Sequence, residues 1–339
     1  MAWKFNPNPN PNMKIGLNVH VCLHVDDAVH CGTTLFYEKV VKPLKSVIQF
    51  GTFLNKEFQF VGWNLSHRNG NIVHQHDYIL QKLSQISIDP KTKLNKSREL
   101  NLEEKKSLRS AVGKARWITD QSRPDCSFEE LELSMNVNKA TVKDIVTINK
   151  MFIKMKQDKV ELVFSKLPGK EFYLTVFSYA SRANLPDGVS SAMGYIIFLT
   201  NGYVLGQEGQ CNPLVWKSTK IQRVVSSTLD AETLALLAAL EQAIVLKNQL
   251  FQILNFPKQA INIQAFVDNK DCVTAIHSSK QTQTSRIRVD LANIKSMLQD
   301  KEVFSVSWIE GGHQLADCLT KRGASSVKLT ATLCEGTFL

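Results

Sequence analysis

Residues 226–243 read SSTLDAETLALLAALEQA, and this stretch decides the fold. Two serines lead into an apolar run with acids near its start, which predicts a long helix over 229–252 carrying Glu232 in its first turn. Working outward, three runs of strand-forming residues precede it, at 172–181, 191–200 and 212–217. After it come a strand at 261–267 that exits at Asp268, helices at 271–278 and 286–299, a strand at 303–309, and a short helix over 314–321 begun by Asp317. Three consecutive strands form an antiparallel meander, and the later alternation of strand and helix adds parallel members. The expectation is an α/β fold with a mixed five-stranded sheet and helices on both faces.

That order lets three acids meet at one end of the sheet: Glu232 on the long helix, Asp268 at a strand exit and Asp317 on the last helix. Crowded carboxylates repel, so such a cluster is stable mainly around a divalent cation. Two-metal phosphodiester cleavage is the chemistry that uses it, with ions roughly 3.5–4 Å apart. Each acid also has a purely structural reading, because Glu232 complements a helix dipole and Asp268-Asn269 is an ordinary strand exit. The residues alone leave both readings open.

The first half differs in charge. Residues 1–170 carry 26 Lys/Arg against 17 Asp/Glu, whereas 171–339 carry 15 against 14. A basic surface suits a polyanion, since Lys and Arg on phosphates release counterions; a generic solvated surface has the same composition. Asn6–Asn12 reads NPNPNPN, which marks residues 1–13 as a disordered tail. LNVHVCLHVDDAVHC, residues 17–31, predicts a β-hairpin with Asp26-Asp27 at its turn. A helix over 35–50 and two short strands within 57–76, around the turn at 68–71, come next. Asn101 and Glu104 form a capping-box pattern before a helix, and two more helices cover 127–137 and 141–158. A lysine-rich stretch ending at Pro168-Gly169 marks a domain boundary.

SSTLDAETLALLAALEQA, FVDNKDCVTAIHS and WIEGGHQLADCLTK, in that order, resemble the ribonuclease H domain of Copia-type LTR retrotransposon Pol polyproteins. Upstream, HVDDAVHCG, FQFVGWNLSHRNGNIVHQHDYILQKL and QSRPDCSFEELEL resemble the end of the same element's reverse transcriptase. The resemblance implies a partial reverse transcriptase over 14–167, an incomplete α+β palm end with thumb and connection, then a ribonuclease H-like domain over 170–322 and a C-terminal tail over 323–339. It implies Mg²⁺, or Mn²⁺, held by Glu232, Asp268 and Asp317 for hydrolysis of RNA in RNA–DNA hybrids, and by Asp26, beside Asp27, in the polymerase remnant. Hybrid or duplex nucleic acid is the implied partner. A fourth carboxylate of the family pattern is missing: the first strand reads Phe177-Ser178-Tyr179-Ala180-Ser181, with tyrosine where the resemblance implies aspartate. Tyrosine is neutral at pH 7 and a poor ligand for a hard cation. Asp187 lies in a Pro-Asp-Gly turn past the strand end and is no substitute. Only 25 residues precede Asp26, too few for the earlier palm strand and fingers. The implied function is therefore an impaired nuclease–polymerase fragment; the alternative is a non-catalytic nucleic-acid-binding or interaction protein of the same descent.

His20, His24 and His30, and His74 with His76, read as alternating strand residues, because no cysteine or acid completes a zinc set at standard spacing. The basic stretches 103–116 and 139–159, with Trp117 between them, read either as a duplex-tracking surface or as a solvated helix face. Arg286 and Arg288 carry the same two readings. The seven scattered cysteines predict free thiols, and with no apolar run of the roughly 20 residues a membrane helix needs, an intracellular protein, cytoplasmic or nuclear, is expected.

Overall fold

The computed structural model describes residues 19–68, 70–169, 171–202, 209–254, 261–279 and 285–338. The tail expected over 1–13 lies outside them. The chain divides into two compact units at Arg68/Asn69, not at the lysine-rich stretch near 168. In the first unit β1 (Val19–His24) pairs antiparallel with β2 (Asp27–Gly32), so the predicted hairpin forms. Its two-residue turn puts Val25 at φ 55, a costly conformation for a β-branched residue. Helices α1 (Thr34–Phe36) and α2 (Lys42–Val47) flank a π-turn over Tyr37–Val41. Strands β3 (Glu57–Phe60) and β4 (Trp63–His67) then form a second hairpin. Both of its turn residues, Val61 and Gly62, have positive φ, as a type I′ turn requires.

The second unit begins with β5 (Asn71–His74) and α3 (His76–Lys82), followed by α4 (Pro90–Leu94), α5 (Leu102–Gln121), α6 (Ser127–Asn136) and α7 (Val142–Gln157). The capping box at α5 is formed: Glu104 N–H donates to Asn101 Oδ1, and Asn101 N–H to Glu104 Oε2, both at 2.9 Å. Leu108, Ala111, Val112, Ala115 and Ile118 of α5 pack on Ile145, Ile148, Phe152 and Met155 of α7. Arg123, 1% exposed, holds this bundle from inside. It forks onto Asp125 with two 2.8 Å bonds and donates to the carbonyls of Met155 and Asp158, closing the C-terminal end of α7.

Strand β6 (Leu162–Phe164) returns antiparallel to β5. Then come β7 (Phe172–Ser181), β8 (Ala192–Thr200), β9 (Gly209–Lys220), α8 (Thr228–Leu254), β10 (Ile261–Val267), α9 (Lys270–His277), α10 (Ser285–Gln299), β11 (Ser305–Trp308), α11 (Val327–Glu335) and β12 (Thr337–Phe338). The sheet order is β11-β10-β7-β8-β9-β12, with β7, β10 and β11 mutually parallel and β7-β8-β9 an antiparallel meander. This is the ribonuclease H-like mixed sheet expected, with one addition. The stretch expected as a tail over 323–339 folds: α11 packs into the core and β12 adds a sixth strand beside β9. Leu174 and Val176 face α8, α9 and α10, while Phe177, Phe198 and Phe266 face β6, α11 and Phe338. Because Val160 and, on β6, Leu162 join that second layer, residues on both sides of 168 share one core. That shared burial is why the units do not divide there.

Candidate active site: an acidic cluster with its own cation

Glu232 is the fifth residue of α8. Its position is set by the helix start, where Asp230 N–H donates to Ser227 Oγ at 3.0 Å and Ser226 N–H to Asp230 Oδ2 at 3.0 Å. The Glu232 carboxyl is 1% exposed, accepts from the Ala180 N–H of β7, and leaves Oε2 without a hydrogen-bond partner. Burial, then the charge of Asp268, pushes it well above the usual carboxylate range. Asp268 lies just past β10, its main-chain carbonyl held by Trp308 Nε1 at 3.0 Å. Burial raises its pKa, against which the charge of Lys321 acts.

Asp317 begins a short 3₁₀ turn, Asp317–Leu319, and not the α-helix expected over 314–321. Its backbone bonds run over three residues, Leu319 N–H to the Ala316 carbonyl and Thr320 N–H to the Asp317 carbonyl, both at 3.0 Å, and tertiary contacts seat the turn. Ser218 Oγ takes the Leu319 carbonyl at 2.7 Å, Asn184 Nδ2 takes that of Thr320, and Gln314 donates to Ser178 O at 3.1 Å. The turn rests on β8 at Gly194, where an added Cβ would fall 2.6 Å from Leu319 Cβ. Gly194 is also the cross-strand partner of Tyr179.

Tyr179 and Lys321 complete the cluster. The Lys321 ammonium donates to the Tyr179 hydroxyl and to Asp317 Oδ1, the latter at 2.7 Å, and lies 4.2 Å from the centre of the Tyr179 ring. Burial raises the phenol's pKa, so Tyr179 is neutral near pH 7. Burial opposes the charge on Lys321, but Asp317 and Tyr179 outweigh it and hold the ammonium protonated. Sequence reading gave Lys321 no role, although its spacing of four from Asp317 is that of a helical ion pair.

The orphaned Glu232 Oε2 is where a cation would be welcome, but the rest of the donor set does not fit a divalent ion. Glu232, Asp268 and Asp317 act on one another electrostatically without bringing three ligand oxygens within 4.8 Å. The fourth position is a neutral phenol, and the ammonium on Asp317 already supplies positive charge. Asp187 stays remote from this task, bonded to Ser190, Val189 and Lys220 in its own turn. In the first unit, Asp26 and Asp27 stand exposed at the β1–β2 turn and join no group of three potential ligands among the described residues.

His74 ends β5, but His76 opens α3 and is no strand residue. An acid does join His74 and His76: Glu161, immediately before β6, brings a carboxylate oxygen so that the three ligand atoms lie within 4.8 Å of one another. Separation by 85 residues hid it from any spacing rule. Of the basic stretches, Arg116 faces Glu130 at 3.3 Å and Lys106 faces Glu103 at 2.9 Å, while Lys143, Lys150, Lys156 and Lys159 are exposed along and just beyond α7. Arg286 and Arg288 are exposed on α10. No helix among the described residues is long and apolar enough to cross a membrane.

No protein-family model matches the sequence, and no curated protein matches it significantly. Among solved structures, ribonuclease H1 from the archaeon Halobacterium salinarum is similar at 17% identity and TM-score 0.31, over 44% of this chain and 94% of that one. The N-terminal RNase H domain of a Mycobacterium tuberculosis protein is similar at 14% identity and TM-score 0.31, over 48% and 98%. A foamy viral protease-reverse transcriptase in complex with dsDNA is similar at 13% identity and TM-score 0.25, over 85% of this chain and 55% of that one. The fold assignment rests on strand order and direction, which define the class as ribonuclease H-like, and the functional reading rests on the side chains.

Proposed function

We propose that this chain is a Copia-type reverse transcriptase/ribonuclease H segment that binds RNA–DNA hybrid or duplex nucleic acid and whose metal-dependent hydrolysis is impaired. The contact of the Lys321 ammonium with Tyr179 and Asp317 carries this reading. Hydrolysis of the RNA strand would need Glu232, Asp268 and Asp317 as joint ligands of Mg²⁺ or Mn²⁺. Tyr179 takes one anionic ligand out of that set, and Lys321 neutralises another. The same observation favours the alternative of a binding protein without cleavage. Exposed lysines along α7 supply sequence-independent attraction to phosphates.

The test incubates the full chain with a labelled RNA–DNA hybrid in Mg²⁺ or Mn²⁺, beside Asp268→Asn. Binding that weakens steeply with salt, and cleavage no faster than that of Asp268→Asn, is the expected result. Wild-type cleavage abolished by Asp268→Asn would overturn the impairment, and the absence of salt-dependent binding would overturn the nucleic-acid partner.

A further inference from the structure

We propose that His74, His76 and Glu161 form a binding site for a first-row divalent transition metal, Zn²⁺ foremost, which clasps β5 and α3 to β6. The site is independent of the acidic cluster, and none of its residues serves there.

Topology builds it. The β5–β6 ladder pairs Val73 with Leu162, so the next antiparallel step sets His74 opposite Glu161. The chain turns at Gln75 and enters α3 at His76, bringing the second imidazole back over the first with ring centroids 4.0 Å apart and planes 22° from parallel. All three side chains are half-buried, and their ligand atoms fall within 4.8 Å of one another. Four-coordinate zinc with bonds of about 2.0–2.2 Å places its ligand atoms roughly 3.3–3.6 Å apart, so binding would draw the three atoms together and turn one imidazole out of the stack until both lone pairs meet the ion.

The surroundings suit a metal. His76 Nε2 lies 3.2 Å from the Val160 carbonyl, which can only accept, so Nε2 carries the proton and the Nδ1 lone pair is left for an ion. A carbonyl holding the far nitrogen of a ligating histidine is a recurrent outer-shell arrangement. His74 Nδ1 accepts a long 3.3 Å bond from the His76 N–H. The Glu161 N–H is directed at Cys334 Sγ at 3.5 Å, which pins the backbone that carries the carboxylate. Two imidazoles and one carboxylate favour Zn²⁺, Co²⁺ or Ni²⁺ and reject Mg²⁺, which demands oxygen ligands. The fourth position would go to water.

The experiment uses the full chain, stripped with EDTA and dialysed against ZnCl₂ in the presence of millimolar Mg²⁺. One zinc per chain is expected, with affinity reduced at least about a hundredfold in Glu161→Gln and in His76→Ala, beyond what outer-shell changes cost. Asp268→Asn should bind zinc as the wild type does. A Co²⁺-loaded wild-type chain, which needs no variant to fold, should show the visible absorption of a four- or five-coordinate site. Absence of stoichiometric zinc, affinity unchanged in Glu161→Gln, loss of binding in Asp268→Asn, or a six-coordinate cobalt spectrum would each overturn the proposal.

Discussion

The acidic cluster at the ends of β7 and β10 and the His74–His76–Glu161 group beside β5 and β6 are opposites. The first gathers Glu232, Asp268 and Asp317 but has a donor set that works against a divalent ion. The second has no spacing pattern at all, yet its ligand atoms converge within 4.8 Å. Order along the chain tells which residues reach a place; only the local donors decide what that place holds. In the first cluster the decisive groups are Tyr179 and Lys321, and in the second it is Glu161, delivered by a strand pairing.

The comparison can be attacked through the frame that supports the second group. Arg123 is buried, forks onto Asp125 and caps α7 through Asp158, three residues before Glu161. Arg123→Ala should cost about 3–5 kcal/mol in urea unfolding, because Asp125 is left charged and unpaired. It should also abolish any stabilisation by zinc, and full stability would show that the bundle does not hang on this pair. Next in size, Tyr179→Asp adds the anion that the proposed function requires of the acidic cluster. Hybrid cleavage should rise at least about a hundredfold in Mn²⁺, the upper end of what outer-shell ligands alone control; an unchanged rate would break the alignment that puts Tyr179 at a ligand position.

Glu130 offers a test by pH in the same bundle. Its carboxyl, with only 6% of the side chain exposed, lies 3.3 Å from Arg116 Nε without hydrogen-bond geometry, and burial pushes its pKa to about 7. The folded pKa thus exceeds the unfolded one, so this group's contribution is fully present below about pH 4.5 and is lost as pH rises through about 7. Glu130→Gln should remove a decline on the order of 2 kcal/mol between those pH values, read from denaturation midpoints. An identical pH profile in the variant would show the carboxylate to be well solvated. The smallest effect expected is at Lys321. Lys321→Ala should lower stability by about 1 kcal/mol, given that the ammonium is partly exposed, and Mg²⁺ should restore it if the ammonium stands in for an ion. A variant indifferent to Mg²⁺ would leave Lys321 an ordinary surface pair.

Much of the second unit was legible. Strand 172–181 and strand 261–267 match the ranges read from the sequence, and the long helix starts and ends within two residues of them, because apolar runs buried on both faces leave little alternative. The hairpin at Val61-Gly62 was not legible, since its turn lacks the Asn-Gly or Asp-Gly that signals one. Strand β6 was hidden by its length of three residues, and β12 by its length of two. The turn at Asp317 reads as helical in sequence, whereas its seat is fixed by bonds from Ser218 and Asn184, residues far away in sequence. In the acidic cluster Tyr179 stood out as soon as a motif was available, whereas Lys321 and Glu161 became visible only through tertiary contact.

Gly194 ties these threads together. It lacks the one carbon that would collide with Leu319, so the turn that carries Asp317 closes down on β8 directly across the ladder from Tyr179. The seat of the turn that brings Asp317 to the cluster thus depends on a steric clearance on the neighbouring strand, which no titration or metal addition would reveal. Gly194→Ala would act as a wedge: it would lift the Asp317 turn from the sheet and draw the ammonium off the phenol without altering a single ionisable group.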